Sequence, residues 1–315
     1  MSDLGSDRYV QQLLEEAALL RLPELLNASH AAALYQRPER SGVGVVALRT
    51  SSLSHTQLSH LMSFRLAHYL LAGLVDPEVV YGKRLRRDLT SSVSTRDIHL
   101  IAGVPQSGQI LCYLVLRTVS SEATLRTRRR PLFPVEEAFG WGVYNELPVL
   151  PDLPIETIVE ASRFVKNHQV DVRDESLVRS PVEVGVALHR VVCDPAHRIA
   201  AVVGGIEQSV SEHYFGLFRM PTVLLRDATL RTPEEGFLAW AVRSRRFWPF
   251  ALLVTDLARQ RQRLTSIEHA LELPGRRGIE SLLGLRRDAL IPRSSLHVPP
   301  QPPLRRHPIA SADGR

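Results

Sequence analysis

The spacing of apolar residues predicts that helices and strands alternate along most of the chain. Apolar positions three and four residues apart predict two short helices in the first forty residues, a helix over 55–74, a helix that begins at Pro181 with Ser180 as its N-cap, and a short helix over 209–218. Short apolar and β-branched runs predict strands. They cover residues 43–48, 99–102, 109–117, 155–165, 198–206 and 222–225.

The order of these elements indicates the fold class. Residues 99–117 are typical of a β-hairpin with a Gly-containing turn, and the later strands alternate with helices. We therefore expect an α/β (α+β) protein whose mixed sheet is packed with flanking helices. The chain divides into an N-terminal helical extension (1–42), a core (43–230), a C-terminal helical segment (231–290) and a proline-rich, disordered tail (291–315).

Three stretches are predicted to lie outside the sheet. Residues 36–42 are polar and predict a break, and residues 120–154 predict a long irregular excursion rich in Arg, Pro and Gly. Loops of that length are usually functional. Residues 233–273 are predicted to be mainly helical, with four aromatic residues on apolar surface: Trp240, Phe247, Trp248 and Phe250.

The composition, 44% hydrophobic and 23% charged in 315 residues, is typical of a globular protein. No apolar run reaches the length of a membrane span, and the acidic N-terminal residues do not match a secretory signal, so we expect a cytoplasmic protein with no membrane span. Cys112 and Cys193 lie in apolar runs and are expected to be buried thiols. The histidines show no metal-ligand spacing, so no metal site is predicted.

The net charge of +6 is carried almost entirely by arginine. Arginine suits the recognition of carboxylates and phosphates, although nucleotide composition alone can also enrich it. One arginine cluster is predicted either to dock an acidic carrier protein or to be a solvated loop. Aromatic residues do not interleave with it, which argues against nucleic acid as a partner. The cluster consists of Arg126, Arg128, Arg129 and Arg130.

Several catalytic motifs are absent from the sequence. It contains no Gly-rich loop followed by Lys and Ser or Thr, no GxGxxG between a strand and a helix, no HExxH and no GxSxG. These absences argue against nucleotide hydrolysis, dinucleotide redox chemistry and serine hydrolysis.

The strand over 155–165 carries the most unusual polar residues. Glu160, Ser162 and Phe164 share one face by alternation, while the surrounding residues indicate a strand that is covered on both sides. A carboxylate and an arginine in such a strand need partners or water. Two interpretations are open: a Glu–Arg network that orders the sheet, or the polar floor of a pocket.

Residues Glu160–Val165 (EASRFV) resemble the E-x-S-R-[FL]-[VC] strand of the autoinducer-synthase-like branch of the Gcn5-related N-acyltransferases. That branch includes acyl-homoserine-lactone synthases and long-chain N-acyl amino acid synthases. The element order over residues 43–230 is similar as well. The resemblance implies a mostly antiparallel central sheet of the acyltransferase (GNAT-like) fold and an enzyme that transfers a fatty acyl group from a thioester to an amine.

The resemblance also implies roles for individual residues. Glu160 is the candidate proton acceptor, and Tyr214 is similar to the tyrosine that protonates the departing thiolate, although its following glycine is two residues away. Arg163 has a second interpretation, in which it braces the sheet. The candidate substrate-binding residues are Arg65, Asp97, Arg117, Ser162, Arg163 and Phe164.

No permanently bound cofactor is expected, because the donor is an acyl-phosphopantetheine thioester carried by an acyl carrier protein or by coenzyme A. Residues 173–180 lack the [QR]-x-x-G-x-[GA] pyrophosphate loop of acetyl-CoA enzymes, which favours the carrier protein. N–H groups at the start of the helix near Pro181 are expected to hold the phosphate. The acceptor is expected to be the amine of an amino acid or a similar small molecule.

Two alternatives are open. A homoserine-lactone product is disfavoured because Val75 stands where the lactone synthases have a tryptophan. A non-catalytic basic binding module on the same fold would account for the net charge and for the arginine cluster.

Overall fold

Eight strands form one mixed sheet. The computed structural model describes residues 3–28, 32–40, 42–86, 93–120, 123–128, 130, 132–207, 214–229 and 247–287. The strands are β1 (Tyr35–Arg40), β2 (Val43–Arg49), β3 (Ile98–Gly103), β4 (Ile110–Thr118), β5 (Ile158–Lys166), β6 (Ala201–Glu207), β7 (Thr222–Leu224) and β8 (Phe247–Leu253). Their order in the sheet is β1-β2-β3-β4-β5-β6-β8-β7.

Most neighbouring strands in this sheet run antiparallel. Among the described strands, β5 and β6 are the one parallel pair. The predicted mixed, mostly antiparallel sheet with flanking helices is therefore confirmed. The helices are α1 (Asp3–Ala18), α2 (Leu22–Ala28), α3 (His55–Leu71), α4 (Pro77–Gly82), α5 (Pro134–Phe139), α6 (Glu175–Val192), α7 (Leu257–Glu272) and α8 (Gly275–Arg287), and residues 214–218 are also helical.

Alternation along the strands divides the apolar side chains between two faces of the sheet. One face, represented by Leu114 and Val159, packs against α6 in a single cluster. The other face carries two clusters: α1 to α4 pack over β2, β3 and β4, and residues 125–155 pack over β5, β6 and β8. This second face therefore has a border between two apolar clusters, and the polar residues of the candidate site lie there.

Two strands lie where other structure was predicted. The polar residues 36–42 were predicted to break the chain, but residues 35–40 pair with β2 as an edge strand, a position that tolerates Pro38 and charged side chains. Residues 247–253 were predicted to be helical, but they form β8, which pairs with β6 over its whole length. A short apolar run suits a buried strand as well as a helix, and the neighbouring strand decided between them.

The predicted division into segments does not follow the sheet. β8 joins the sheet from beyond residue 230, and α1 and α2 pack on it from before residue 43. The predicted irregular excursion contains α5 and buries Phe133 and Tyr144 completely. Residues 231–246 and the predicted tail over 291–315 lie outside the described residues.

Two predictions about single residues and segments can be compared directly with the structure. Cys112 and Cys193 are free and buried, as predicted. No helix in the described part of the chain is long and apolar enough to cross a membrane.

Helix α6 begins earlier than predicted. Its first residue is Glu175, its N-cap is Asp174, and Pro181 lies inside the helix. Pro181 lacks an N–H group, so it cannot bond to the carbonyl of Leu177 four residues earlier. The buried hydroxyl of Ser180 donates to that carbonyl oxygen instead, at 3.0 Å. Ser180 is therefore not an N-cap but the group that lets the helix continue through a proline.

Arg179 on α6 connects this helix to the C-terminal helices. Its buried guanidinium donates to the carbonyl oxygens of Leu271, Leu273 and Gly275, each at 2.9 Å. These carbonyls belong to the end of α7 and the start of α8, where helical hydrogen bonds are lacking. One arginine thus supplies hydrogen-bond donors to the backbone carbonyls between two helices and holds that segment against the first turns of α6.

The Ser180 hydroxyl predicts a measurable stability effect. Ser180→Ala leaves the buried Leu177 carbonyl unsatisfied and should lower the free energy of unfolding by about 1–2 kcal/mol in urea titrations. Ser266 on α7 is the matched control, because its exposed hydroxyl donates to the carbonyl of Gln262 in a turn that contains no proline. Ser266→Ala should change stability by less than about 0.5 kcal/mol. Equal losses in both variants would contradict the role given to Ser180.

Candidate active site

The parallel strands β5 and β6 separate in the middle of the sheet. Their pairing runs from Ile158 opposite Ala201 to Ala161 opposite Gly204, although both strands continue further. At this last pair the backbones are close together, because a Cβ atom on Gly204 would lie 2.5 Å from the carbonyl oxygen of Ala161. Beyond it, β5 loses its partner on this side while β6 stays paired with β8. The sheet therefore has an opening directly after Ala161.

A β-bulge lies at the same place in β5. Tyr113 pairs with Val165 and Val115 with Ser162, so three steps along β5 face two along β4. Arg163 takes up the extra residue with a φ of 61°. The predicted alternation of Glu160, Ser162 and Phe164 is therefore wrong at Phe164, whose side chain is 41% exposed. The extra residue shifts every later side chain to the other face, and Val165 packs where Phe164 was expected.

Four of the predicted substrate-binding residues line one pocket. Arg65 comes from α3, Asp97 from the residue before β3, Arg117 from β4 and Arg163 from the bulge in β5. The four lie far apart in the sequence, and the sheet brings them together at the border between the two apolar clusters. Met62, Val93, His99 and Val115 complete the lining.

Glu160 is buried beside this pocket, with 2% of its surface exposed. It lies directly across from Arg117 in the β4–β5 ladder, and its Oε1 accepts a hydrogen bond from the N–H of Val135 at 2.9 Å. Burial raises the pKa of Glu160 to about 7, against the opposing effects of Arg117, the Val135 N–H and Arg163. A glutamate with this pKa can exchange a proton near neutral pH.

Four buried polar atoms without a hydrogen-bond partner lie at or beside the bulge. They are Arg117 Nη1 on β4 and Glu160 Oε2, Ser162 Oγ and Arg163 Nε on β5, where Glu160 lies opposite Arg117. No ion pair joins Glu160 to Arg117 or Arg163 within the described residues, so the Glu–Arg network considered as one interpretation of this strand is not formed. Folded proteins leave few such atoms unsatisfied, and a cluster of them indicates a place where a polar ligand supplies the partners.

The carboxylate of Asp97 has structural partners. It accepts hydrogen bonds from the N–H of Ser94 at 3.0 Å and from the N–H of Thr118 at 2.8 Å. These bonds fix the start of β3 against the end of β4, next to Arg117. Burial raises the pKa of Asp97, and the two N–H groups and Arg117 oppose that increase. Asp97 therefore shapes the pocket wall from which Arg117 projects.

His99 lines the pocket but was not predicted as a site residue. Its Nδ1 lies 2.8 Å from the Tyr113 hydroxyl and its Nε2 lies 2.9 Å from the Thr50 hydroxyl. Burial, and secondly Arg65, lower the pKa of His99 to about 3, so the ring is neutral. The Arg65 guanidinium lies 5.5 Å from the centre of the Tyr113 ring. A signal was present in the sequence, because His99 is two residues from Asp97 at the start of a predicted strand, where alternate side chains lie on the same side.

Tyr214 lies on the opposite face of the sheet from Glu160. It packs beside α6, where a Cβ atom on Gly185 would be 3.0 Å from the Tyr214 ring, whereas Glu160 bonds to Val135 on the other face. Burial raises the pKa of Tyr214 further above its ordinary value of 10. The two residues predicted to move protons are thus separated by the sheet, and the opening after Ala161 connects their two sides.

The predicted docking cluster is not a free basic surface. Arg128 is buried, with an ion pair to Glu136 and hydrogen bonds to the carbonyls of Leu125 and Trp141, so the prediction is wrong for this residue. Its charge serves to fold residues 125–141. The other members differ: Arg126 forms an exposed ion pair with Asp152, Arg130 is exposed, and Arg129 lies outside the described residues.

The predicted phosphate site at the start of α6 is also corrected. The helix begins at Glu175, not at Pro181, and the Asp174 carboxylate accepts from the N–H groups of Ser176 and Leu177. A carboxylate already occupies the donors that a phosphate would use, and Glu175 adds a second negative charge at this end of the helix.

Comparisons with known proteins give similar structures but no sequence match. No protein-family model and no curated protein matches the chain. The acyl-homoserine lactone synthase LasI is 13% identical with a TM-score of 0.45, over 68% of this chain and 90% of its own. The CoA-dependent acyl-homoserine lactone synthase BjaI is 14% identical with a TM-score of 0.44, over 75% and 97%. FeeM, an N-acyl amino acid synthase from uncultured soil microbes, is 9% identical with a TM-score of 0.39, over 72% and 95%.

The pKa of Glu160 predicts how stability depends on pH. An unfolded glutamate releases its proton near pH 4.5, whereas folded Glu160 keeps it until about pH 7, so the free energy of unfolding falls as pH rises between these values. Glu160→Gln removes this effect. The free energy of unfolding of the variant, minus that of wild type, should therefore rise by about 3 kcal/mol from pH 4 to pH 8, as measured in urea titrations.

The control for this prediction is Glu156→Gln, at an exposed position on the same segment. It should follow the wild-type pH dependence. If Glu160→Gln also follows the wild-type curve, the carboxyl group of Glu160 does not titrate near neutral pH in the folded protein.

Proposed function

We propose that this protein is an N-acyltransferase that moves a fatty acyl group from a phosphopantetheine thioester to the amine of an amino acid or a similar small molecule. The proposal depends on one observation: Glu160, with a pKa of about 7 and a free Oε2 atom, lies at the opening between β5 and β6 beside a pocket rich in arginine. The resemblance of residues 160–165 to the acyltransferase strand supports the same reaction.

Glu160 has the properties required of the proton acceptor. An amine attacks a thioester only in its neutral form, yet amino acids carry ammonium groups at neutral pH. A base with a pKa near the working pH removes such a proton most effectively. Glu160 takes a proton from the amine directly or through one bound water. As the nitrogen bonds to the thioester carbon, the carbon–sulfur bond breaks, and the pantetheine thiolate leaves and takes up a proton from Glu160 or from solvent.

The arginines of the pocket suit an acceptor with a carboxylate. Arg117 and Arg163 each have a buried guanidinium nitrogen without a partner, and a carboxylate can accept from two such N–H groups at once. Arg65 adds a third positive charge to the lining, against the single carboxylate of Asp97. An anionic group on the acceptor would balance this excess, and Glu160 would then face the amine.

The opening after Ala161 provides the path for the donor. Backbone N–H groups of β5 beyond this residue have no partner strand on the β6 side, so they can stabilise the negative charge that develops on the thioester oxygen. We retain a carrier protein as the proposed donor because the pyrophosphate loop of acetyl-CoA enzymes is absent. That choice no longer depends on the arginine cluster, and the burial of Arg128 also removes the main support for a basic binding module.

Activity should depend on the carboxyl group of Glu160. Incubation with acyl-carrier and acyl-pantetheine thioesters and a panel of amino acids should release free thiol and form an N-acyl product detectable by mass spectrometry. Glu160→Gln should lower kcat by a factor between about 10² and 10⁴. The control Glu156→Gln should keep wild-type turnover. Full activity of Glu160→Gln would overturn the proposed base, and a cyclic lactone product would reveal a homoserine-lactone synthase instead.

Arg117 should affect both acceptor binding and the pH profile. Arg117→Met removes a proposed partner of the acceptor carboxylate, so it should raise the KM for the acceptor. Arg117 also lowers the pKa of Glu160, so the same variant should move the acidic limb of kcat/KM above pH 7. Arg117→Lys keeps the charge but loses the paired N–H geometry, so it should raise KM while leaving the acidic limb in place. A limb that does not move in Arg117→Met would show that another group titrates.

A further inference from the structure

Two of the buried polar atoms without hydrogen-bond partners belong to neighbouring aromatic side chains on the α6 face of the sheet, away from the pocket. They are Nε2 of His189 and the hydroxyl oxygen of Tyr214. A buried polar atom without a partner is costly, and two on neighbouring aromatic residues need an explanation. The base and the acceptor pocket use neither of them.

His189 presents a hydrogen-bond acceptor. Its Nδ1 lies 2.6 Å from the carbonyl oxygen of Gly185, and a carbonyl can only accept, so Nδ1 carries the proton. Nε2 then has a lone pair and no hydrogen. Burial lowers the pKa of His189 to about 4, which keeps the ring neutral at physiological pH.

Tyr214 presents a hydrogen-bond donor beside it. Burial raises the pKa of Tyr214 above its ordinary value, so the group remains an O–H. The rings of Tyr214 and His189 lie 5.9 Å apart, and Phe218 stacks on His189 at 4.1 Å with the ring planes 5° apart. Gly185 allows this packing, since a Cβ atom there would be 2.6 Å from Phe218. An acceptor and a donor are thus held side by side on an apolar wall.

A series of contacts connects this pair to the opening between β5 and β6. Phe215, the neighbour of Tyr214, packs edge-on against Phe250 at 5.3 Å. Phe250 pairs with Gly204 in the β6–β8 ladder, and Gly204 pairs with Ala161 in the last pair of β5 and β6. The contacts therefore lead from the pair to the point where the two strands separate.

We propose that His189 and Tyr214 bind one secondary amide of the pantetheine arm of the donor. The amide N–H donates to Nε2 of His189, and the Tyr214 hydroxyl donates to the amide carbonyl oxygen. The inference rests on the proposed function, which supplies a pantetheine thioester as the donor. The arm is an uncharged chain with two secondary amides, and an uncharged acceptor and donor among aromatic rings match a secondary amide better than they match an ion.

This assignment gives Tyr214 a role different from the one predicted from the sequence. A phenol whose pKa is raised by burial transfers its proton poorly to a thiolate, but it remains a good hydrogen-bond donor. Tyr214 then holds the arm on the α6 face, while the thioester passes through the opening to the face that carries Glu160. Loss of a proton donor would lower kcat, whereas loss of a group that binds the arm would raise KM.

The test uses S-ethyl pantetheine, a thioether that the enzyme cannot cleave, with affinity measured by calorimetry. Tyr214→Phe removes only the hydroxyl, and His189→Phe removes the acceptor while keeping an aromatic ring. Each variant should bind S-ethyl pantetheine about tenfold more weakly than wild type. With the acyl-pantetheine substrate, Tyr214→Phe should raise KM and leave kcat within about threefold of wild type.

A stability measurement separates ligand binding from a structural role. The Tyr214 hydroxyl has no partner in the free protein, so Tyr214→Phe should unfold at the same urea concentration as wild type or at a higher one. His68 provides the matched control, since it is a second buried histidine with a free Nε2 atom, located on α3 on the other face of the sheet. His68→Phe should leave the affinity for S-ethyl pantetheine unchanged.

The proposal has clear contrary outcomes. It is wrong if wild type does not bind S-ethyl pantetheine, if the Tyr214 and His189 variants bind it as tightly as wild type, or if Tyr214→Phe lowers kcat a hundredfold with KM unchanged. Wild type that binds S-ethyl pantetheine but turns over no thioester would contradict the proposed function. In that case weaker binding by the two variants would still support the amide site.

Discussion

The structure depends on one interruption in backbone pairing, the end of the β5–β6 ladder at Ala161 and Gly204. Up to this pair two parallel strands are joined as in any sheet, and beyond it β5 loses one neighbour while the bulge at Arg163 changes its direction. Backbone groups in a sheet normally satisfy one another, so an opening in the middle of eight strands is unfavourable unless a ligand fills it. The two apolar clusters on one face and α6 on the other hold the strands apart around this opening.

Polar atoms without partners occur on both sides of the opening. Glu160 and the two arginines lie on one face, and His189 and Tyr214 lie on the other. Each such atom lowers the stability of the free protein, because it has lost water without gaining a hydrogen bond. Two other buried arginines make several hydrogen bonds within the protein: Arg128 bonds to Glu136 and two carbonyls, and Arg179 bonds to carbonyls at the end of α7 and beyond it. Within the described residues Arg117 and Arg163 form no ion pair, which distinguishes them from these two arginines.

The electrostatics of the site follow from this arrangement. Burial raises the pKa of Glu160, and Arg117, the Val135 N–H and Arg163 oppose that increase, so the pKa is about 7. His99 is kept neutral by its burial and by Arg65. The pocket therefore keeps an excess of positive charge from arginine, next to one carboxyl group that can change its charge. That combination suits a substrate with both a carboxylate and an amine.

The sequence by itself determined the hairpin, the class of the sheet and the polar character of β5, because these features depend on local alternation and on short apolar runs. Four of the proposed substrate-binding residues were predicted from positions far apart in the chain, and the structure places them around one pocket. Only the tertiary structure decided that residues 247–253 form a strand, since a short apolar run suits either element until a neighbour pairs with it. The bulge that moves Phe164 away from the Glu160 face depends on register between strands, and the burial of Arg128 depends on contacts with Glu136 and Trp141. A sequence pattern reports which side chains are apolar or charged, but the partner of a charge and the register of a strand are set by residues that folding brings together.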